Sequence, residues 1–173
     1  KGATFAYGRQ MGKTLILPVR WNLATAKPVL GTNPTEKLLT NGIRGSLKYS
    51  DFEWCSWADN DSVSFTIDLL KPEMLNTLIL GCITNNGMAI HKPASVRVEV
   101  SDDNSKFREA VVQSFTSEEI FREGNFIENL SLKLGGTQAR YVRVTAKGPG
   151  VCPASHVRPG QTSRIFFDEV MLE

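Results

Sequence analysis

The sequence predicts an all-β domain, an antiparallel sandwich or barrel of about eight short strands. Three observations lead there. Apolar and polar residues alternate with a period of two along several segments. Residues with turn chemistry separate those segments. Helical periodicity is nearly absent. The 173 residues fit one domain, taken as 1–173, and suffice for a core without disulfide staples.

Taken in order, Thr14–Val19 is the first apolar run. Ser62–Leu69 reads SVSFTIDL, with Val63, Phe65 and Ile67 on one face and Ser64, Thr66 and Asp68 on the other. Leu75–Ile83 is apolar on both faces, as a central strand would be. Ser95–Ser101 alternates Val96, Val98 and Val100 with Arg97 and Glu99. Ala110–Phe115, the Leu130/Leu132/Leu134 segment, RYVRVTA at 140–146 and Ile165–Leu172 complete the set. Asp102-Asp103-Asn104 is a tight turn in which Asn104 can take a left-handed conformation, and Gly135-Gly136 is expected to separate two strands. Asn33-Pro34 before TEKLLTNG has the cap and first-turn residues of a short helix, and 117–124 forms another short turn. Residues 42–61 and 148–164 remain long and irregular, where a sandwich carries its function.

Several function classes are disfavoured. The net charge is +2 and the basic residues are scattered, unlike a nucleic-acid-binding face. No apolar run approaches the roughly 18 residues of a membrane span. The chain opens KGATFAYGRQ without Met, which suggests a piece of a longer or processed chain, with 1–10 as linker remnant. Cys82, in LILGCI, is expected to be a buried thiol. Cys55 and Cys152 fall in loop-like segments and could pair or stay free.

The tail GVCPASHVRPGQTSRIFFDEVMLE concentrates Cys152, His156, Asp168 and Glu169. Two glycosidase carboxylates must face each other across roughly 5–10 Å. Asp168 and Glu169 are adjacent on a predicted strand, so strict alternation would point them apart. Cys152 and His156 have no oxyanion loop, and with no second His nearby in the sequence and neither CxxC nor HxxH, a zinc site is not expected. No phosphate-binding glycine loop occurs. The domain is therefore read as non-catalytic, with His156 fixing its loop or touching a ligand.

LTNGIRGS, FEWCSW, VSFTIDL, SVRVEVSDDNSKF, RYVRVTA and FFDEV together resemble a discoidin, or coagulation-factor type C, domain over residues 11–173. The resemblance implies a galactose-binding-like jelly-roll sandwich. LTNGIRGS with GVCPASH and FFDEV is similar, more narrowly, to the C-terminal domain of Bacteroides-type β-N-acetylhexosaminidases (chitobiases), with Ser155 where a Trp is usual. It also implies a structural Ca²⁺, for which Asn41, Ser46 and Glu169 are the expected side-chain ligands. Asn41 stands where Asp is usual and offers an oxygen without charge.

Sugar binding needs an aromatic face and a few directional polar groups. The candidates are Tyr49, Trp57, Asn85, His91, His156 and Arg158. Trp54 is expected to pack inward, Asn85-Asn86-Gly87 can be no more than a turn, and Arg158 can be merely solvated. The resulting expectation is an ancillary carbohydrate-binding domain of a secreted hexosaminidase. It would be periplasmic, cell-surface or extracellular, and would recognise glycans ending in galactose or N-acetylhexosamine. The alternative is a structural domain that packs on the catalytic module without binding sugar. Membrane binding has only Met88, Ile90 and Lys92 to support it.

Overall fold

The computed structural model describes residues 39, 43–50, 53–56 and 62–173 in full and the backbone of 20–23 and 57. The expected strand at Thr14–Val19 and the Asn33-capped turn lie outside these residues, apart from Leu39, which is buried in the core. The described strands are β1 (Arg20–Leu23), β2 (Cys55–Trp57), β3 (Ser62–Asn85), β4 (Ser95–Ser101), β5 (Arg108–Ser114), β6 (Asn125–Lys147) and β7 (Ile165–Leu172). Every pairing is antiparallel, in the order β2-β7-β3-β6-β4-β5, with β1 also on β3. Among the described residues the one α-helix, α1 (Ser117–Ile120), is short and is closed by a capping box between Thr116 and Glu119.

The predicted strands at 62–69 and 75–83 are one strand, the 24-residue β3. Likewise the 130–134 and 140–146 segments join in the 23-residue β6. Both strands bend, at two successive register shifts. Leu70 has φ 68° on β3, and Gly135 and Gly136 have φ 64° and 76° on β6. The register between them shifts after Asp68 and again after Leu75. The glycine pair therefore turns β6 through a corner instead of ending it: its positive φ accommodates the extra residues of β6 at the second shift, and pairing with β3 resumes on either side. Asp68 fixes the corner: it accepts from Leu70 N at 2.8 Å and from Arg140 Nε and Nη2 at 2.8 and 2.9 Å.

The corner folds the sheet into two layers. One holds β1, β4, β5, the first half of β3 and the second half of β6. The other holds β2, β7 and the remaining halves. Alternate residues enter one shared core: Val63, Phe65 and Ile67 from the first layer meet Leu78, Leu80, Leu132 and Phe167 from the second. Burying each such side chain contributes about 1.5–3 kcal/mol, so the period-two pattern is itself the main stabilising device.

The 42–61 segment is less irregular than the sequence suggests. It contains β2, whose Cys55 pairs with Phe167 and belongs to the core. Cys55 and Cys152 are both free thiols, so the alternative of a disulfide between them is corrected: one faces the core and the other lies in the 150–164 loop. Burial pushes the Cys55 thiol up to about 12. Cys82 is a buried thiol as expected, and burial raises it further still. Trp54 is fully buried, also as expected. Asn104 takes the left-handed conformation, with φ 57°. Among the described residues no helix is long and apolar enough to cross a membrane.

Candidate functional site

At one end of the second layer, a smaller cluster of Trp54, Ile83, Ile90 and Phe166 supports the loops, with Tyr49, Met88 and Ile127 packed against it. Four loop segments meet there. Asn125 Nδ2 donates to Leu47 O at 3.4 Å, tying 121–126 to 43–50. Asn86 N donates to Gly124 O at 3.2 Å. Arg164 N donates to Ala89 O at 2.9 Å, and His91 N to Arg164 O at 3.0 Å, tying 85–92 to 150–164. Arg158 Nε donates to Gly87 O across the same seam.

Beneath that seam lies a chain of buried polar groups. Arg158 N donates to His156 Nδ1 at 3.0 Å, which leaves the proton of neutral His156 on Nε2. That atom faces His91 Nε2 at 3.1 Å. His91 Nδ1 lies 2.6 Å from Ser163 Oγ, which in turn donates to Ala89 O at 3.3 Å. The partners thus assign the tautomers: His156 Nε2–H donates to His91 Nε2, and His91 Nδ1–H donates to Ser163. Asn86 sits beside them, its amide 3.2 Å from His156 Nε2. Burial, then the neighbouring His156, lowers His91 to about 4, so this ring is neutral at ordinary pH. Phe121 packs edge-on against both rings, at 5.0 Å from His91 and 6.1 Å from His156.

The structure brings most of the predicted sugar-contact residues to this end, at different depths. Tyr49 is half-buried and meets Phe166 edge-on at 6.3 Å. Arg158 is exposed, with Nη1 3.5 Å from Gln161 Oε1. Asn85 caps the Asn86–Met88 turn by accepting from Met88 N at 3.2 Å, so this stretch is a turn. His156 is 8% exposed and His91 0%, so His91 lies under the surface and orients His156. Trp57 continues β2 opposite Ile165, and its side chain lies outside the described residues.

Asn41, of the expected calcium ligands, also lies outside the described residues. Ser46 is exposed: its carbonyl accepts from Trp54 Nε1 at 2.9 Å and its hydroxyl from Lys48 N at 3.2 Å. Glu169 is buried on β7. The expectation that Asp168 and Glu169 point apart is overturned by register. Leu80 pairs with Val170 and Cys82 with Phe167, so two residues of β7 oppose the single Gly81. Such a bulge breaks strict alternation. The pair still forms no open acid/base dyad, since the two are 0% and 1% exposed and Asp168 is tied down.

Sequence reasoning missed how it is tied. Arg44 Nε donates to Asp168 Oδ2 at 2.7 Å and Gly45 N donates to the same oxygen at 2.9 Å. A Cβ on Gly81 would lie 1.9 Å from Asp168 Oδ1 and 2.5 Å from Arg44 Nη2. Burial raises the Asp168 carboxyl, while Arg44 and the surrounding N–H groups pull it down. The signal in the sequence was the glycine inside the apolar run LILGCI, which marks close approach of another group. Ser163 and Asn86 were also missed as neighbours of the histidines, since no local pattern announces them, and Cys152 was weighed with His156 but not with His91.

An antiparallel sandwich whose chemistry is gathered in loops at one end defines a binding module. The F5/8 type C domain model matches residues 24–157, and the chain belongs to that family, whose domains are non-catalytic binding modules. No curated protein sequence matches the chain. Solved structures share the fold at low identity. CpGH89CBM32-5 from Clostridium perfringens, in complex with GalNAc-β-1,3-galactose, is 14% identical with TM-score 0.58, over 89% of this chain and 94% of that one. The C-terminal domain of a chitobiase from Bacteroides fragilis is 16% identical with TM-score 0.56, over 93% and 97%. The CBM32 of AlyQ, in complex with 4,5-unsaturated mannuronic acid, is 17% identical with TM-score 0.51, over 89% and 97%.

Proposed function

We propose that this is an ancillary carbohydrate-binding domain of a secreted bacterial β-N-acetylhexosaminidase, binding glycans that end in galactose or N-acetylhexosamine. The observation that carries the reading is the braced loop end. Asn85 and Arg158 stand on loops that the His91–His156 contact and the Arg158–Gly87 bond hold in fixed relation, and Tyr49 stands on a third loop tied to the same end by its packing on Phe166 and by the Asn125–Leu47 bond. Tyr49 supplies an aromatic body and Arg158 a planar fork of donors for sugar hydroxyls. Preorganised loops lose little entropy on binding, which suits weak recognition of small epitopes. Tethering then raises the effective substrate concentration for a linked catalytic module. The sugar-bound Clostridium relative and the chitobiase domain support this assignment.

Calcium belongs to the same proposal, with Asn41, Ser46 and Glu169 as ligands. Ser46 Oγ and the Glu169 carboxylate are hard oxygen donors of the kind Ca²⁺ takes, and the ion would brace the 41–46 segment. A thermal melt raised by Ca²⁺ and lowered by chelation is the expected sign.

A second reading has an observation of its own. Ile43, Leu47, Val151 and Val157 are large apolar residues exposed on the 43–50 and 150–164 loops. They would suit a domain packed on its catalytic neighbour. Calorimetry of the chain with galactose, N-acetylgalactosamine and N-acetylglucosamine separates the two. Saturable heat that Arg158→Ala and Tyr49→Ala weaken supports sugar binding. Silence across all glycans, with tight association to the catalytic module, supports packing instead.

A further inference from the structure

We infer that His91, Cys152 and His156 form a binding site for a borderline-soft divalent cation of the zinc class, between the 85–92 and 150–164 loops. One ligand atom from each residue lies within 4.8 Å of those of the others. The two facing Nε2 atoms are 3.1 Å apart. Two nitrogens bound tetrahedrally to zinc, each at about 2.0–2.1 Å, would stand about 3.3–3.4 Å apart, so only small shifts are needed. Imidazole and thiolate donors select zinc-class ions over calcium or magnesium, which take oxygen. All three residues are buried, at 0%, 2% and 8% exposure, where a dry site strengthens coordination.

Two further observations point to a ligand. Asn86 is 8% exposed, its Oδ1 lacks any hydrogen-bond partner, and its amide nitrogen lies 3.2 Å from His156 Nε2. Because His156 carries its proton on Nε2, the amide turns over so that Oδ1 accepts from that N–H without metal, and the same oxygen faces the centre as a fourth donor once the proton moves. Behind His91, the Ser163 hydroxyl accepts from Nδ1–H at 2.6 Å. That bond fixes the Nε2 lone pair toward the centre, the arrangement metal-binding histidines use. The backbone is braced as well, with Cys152 N on Gln161 O at 2.8 Å and Gly160 N on Cys152 O at 2.9 Å.

The protons balance as follows. Without metal, His156 keeps its proton on Nε2. A cation at Nε2 requires that proton to move to Nδ1, so the Arg158 N–H loses its acceptor. The Cys152 thiol releases its proton to solvent and binds as thiolate. Metal binding is thus coupled to the 156–158 turn and so to Arg158.

The test uses the whole chain, freed of metal by chelator and titrated with Zn²⁺ by calorimetry and Co²⁺ by absorption. One equivalent is expected, with a thiolate-to-cobalt charge-transfer band. In ¹⁵N NMR, Zn²⁺ should move the His156 proton from Nε2 to Nδ1 and shift the Arg158 amide. Cys152→Ser, nearly isosteric, should abolish the band. Ser163→Ala should weaken affinity by about 10–100-fold, as loss of the partner behind a ligand does. A saturable site with an unchanged band in Cys152→Ser, or no binding at micromolar Zn²⁺, would overturn the inference. Neither result depends on whether the chain binds sugar.

Discussion

The two buried regions of this domain are built from different materials. The core between the layers is aliphatic and aromatic, supplied by alternate residues of long strands. The loop end has a small aromatic cluster and, around it, buried polar side chains: His91, His156, Asn86, Ser163 and Asp168, the last paired with the half-buried Arg44. Apolar burial is non-directional and tolerates small changes of shape. Buried hydrogen-bonded groups have no such tolerance, since each donor left without its acceptor carries a desolvation penalty. A region held by polar geometry is stiff and specific, as a ligand-binding end requires, whereas the core serves stability.

Substitutions can sharpen that contrast. The largest loss is expected in the core: Phe65→Ala should cost about 3–5 kcal/mol in denaturant unfolding, with the whole domain losing protection together. Gly81→Ala comes next. The added methyl meets the Arg44–Asp168 pair, and crowding of this kind costs about 1–3 kcal/mol. If Gly81→Ala is neutral, Asp168 does not lie where the bulge puts it. His91→Leu should cost about 1–3 kcal/mol by removing the acceptor of the His156 N–H and the donor to Ser163 Oγ. Its hydrogen-exchange signature should be confined to 85–92 and 150–164, and a uniform loss would make this region part of the main core instead.

The smallest effect concerns the exposed turn at Asp103. Its carboxylate accepts from Lys106 N and Ser105 N, both at 2.8 Å, and from Ser101 Oγ at 2.9 Å. These bonds, the backbone ones first, hold it below the ordinary aspartate range. With a depressed folded-state value, its contribution to stability is present above the usual carboxylate range and fades as pH falls through the lowered one. An NMR titration should find Asp103 among the last carboxylates to protonate.

The sequence made the core legible and left most of the loop end hidden, for one physical reason. Alternation is local, so Val63-Phe65-Ile67 and Val96-Val98-Val100 announce their faces within a few residues. Even there, the corner at Leu70 and Gly135-Gly136 was missed, because a positive φ pair reads equally as a turn or as a bend. Tyr49, Asn85, His156 and Arg158 were picked out by residue type and do gather at one end. Their depths were not legible: His91 is buried by Phe121 and Ser163, which come from 30 and 72 residues further along. The bulge that puts Asp168 and Glu169 opposite one Gly81 depends on pairing between distant strands, and no adjacent-residue rule could foresee it.

The most direct test of the loop end as a glycan-binding surface is a ¹⁵N-resolved NMR titration of the chain with a galactose- or N-acetylhexosamine-terminated oligosaccharide. The expected result is saturable shifts confined to 43–50, 85–92, 121–126 and 150–164, abolished by Arg158→Ala with the remaining spectrum unchanged. Shifts centred on β4 and β5, or none at millimolar sugar across both glycan classes, would contradict it.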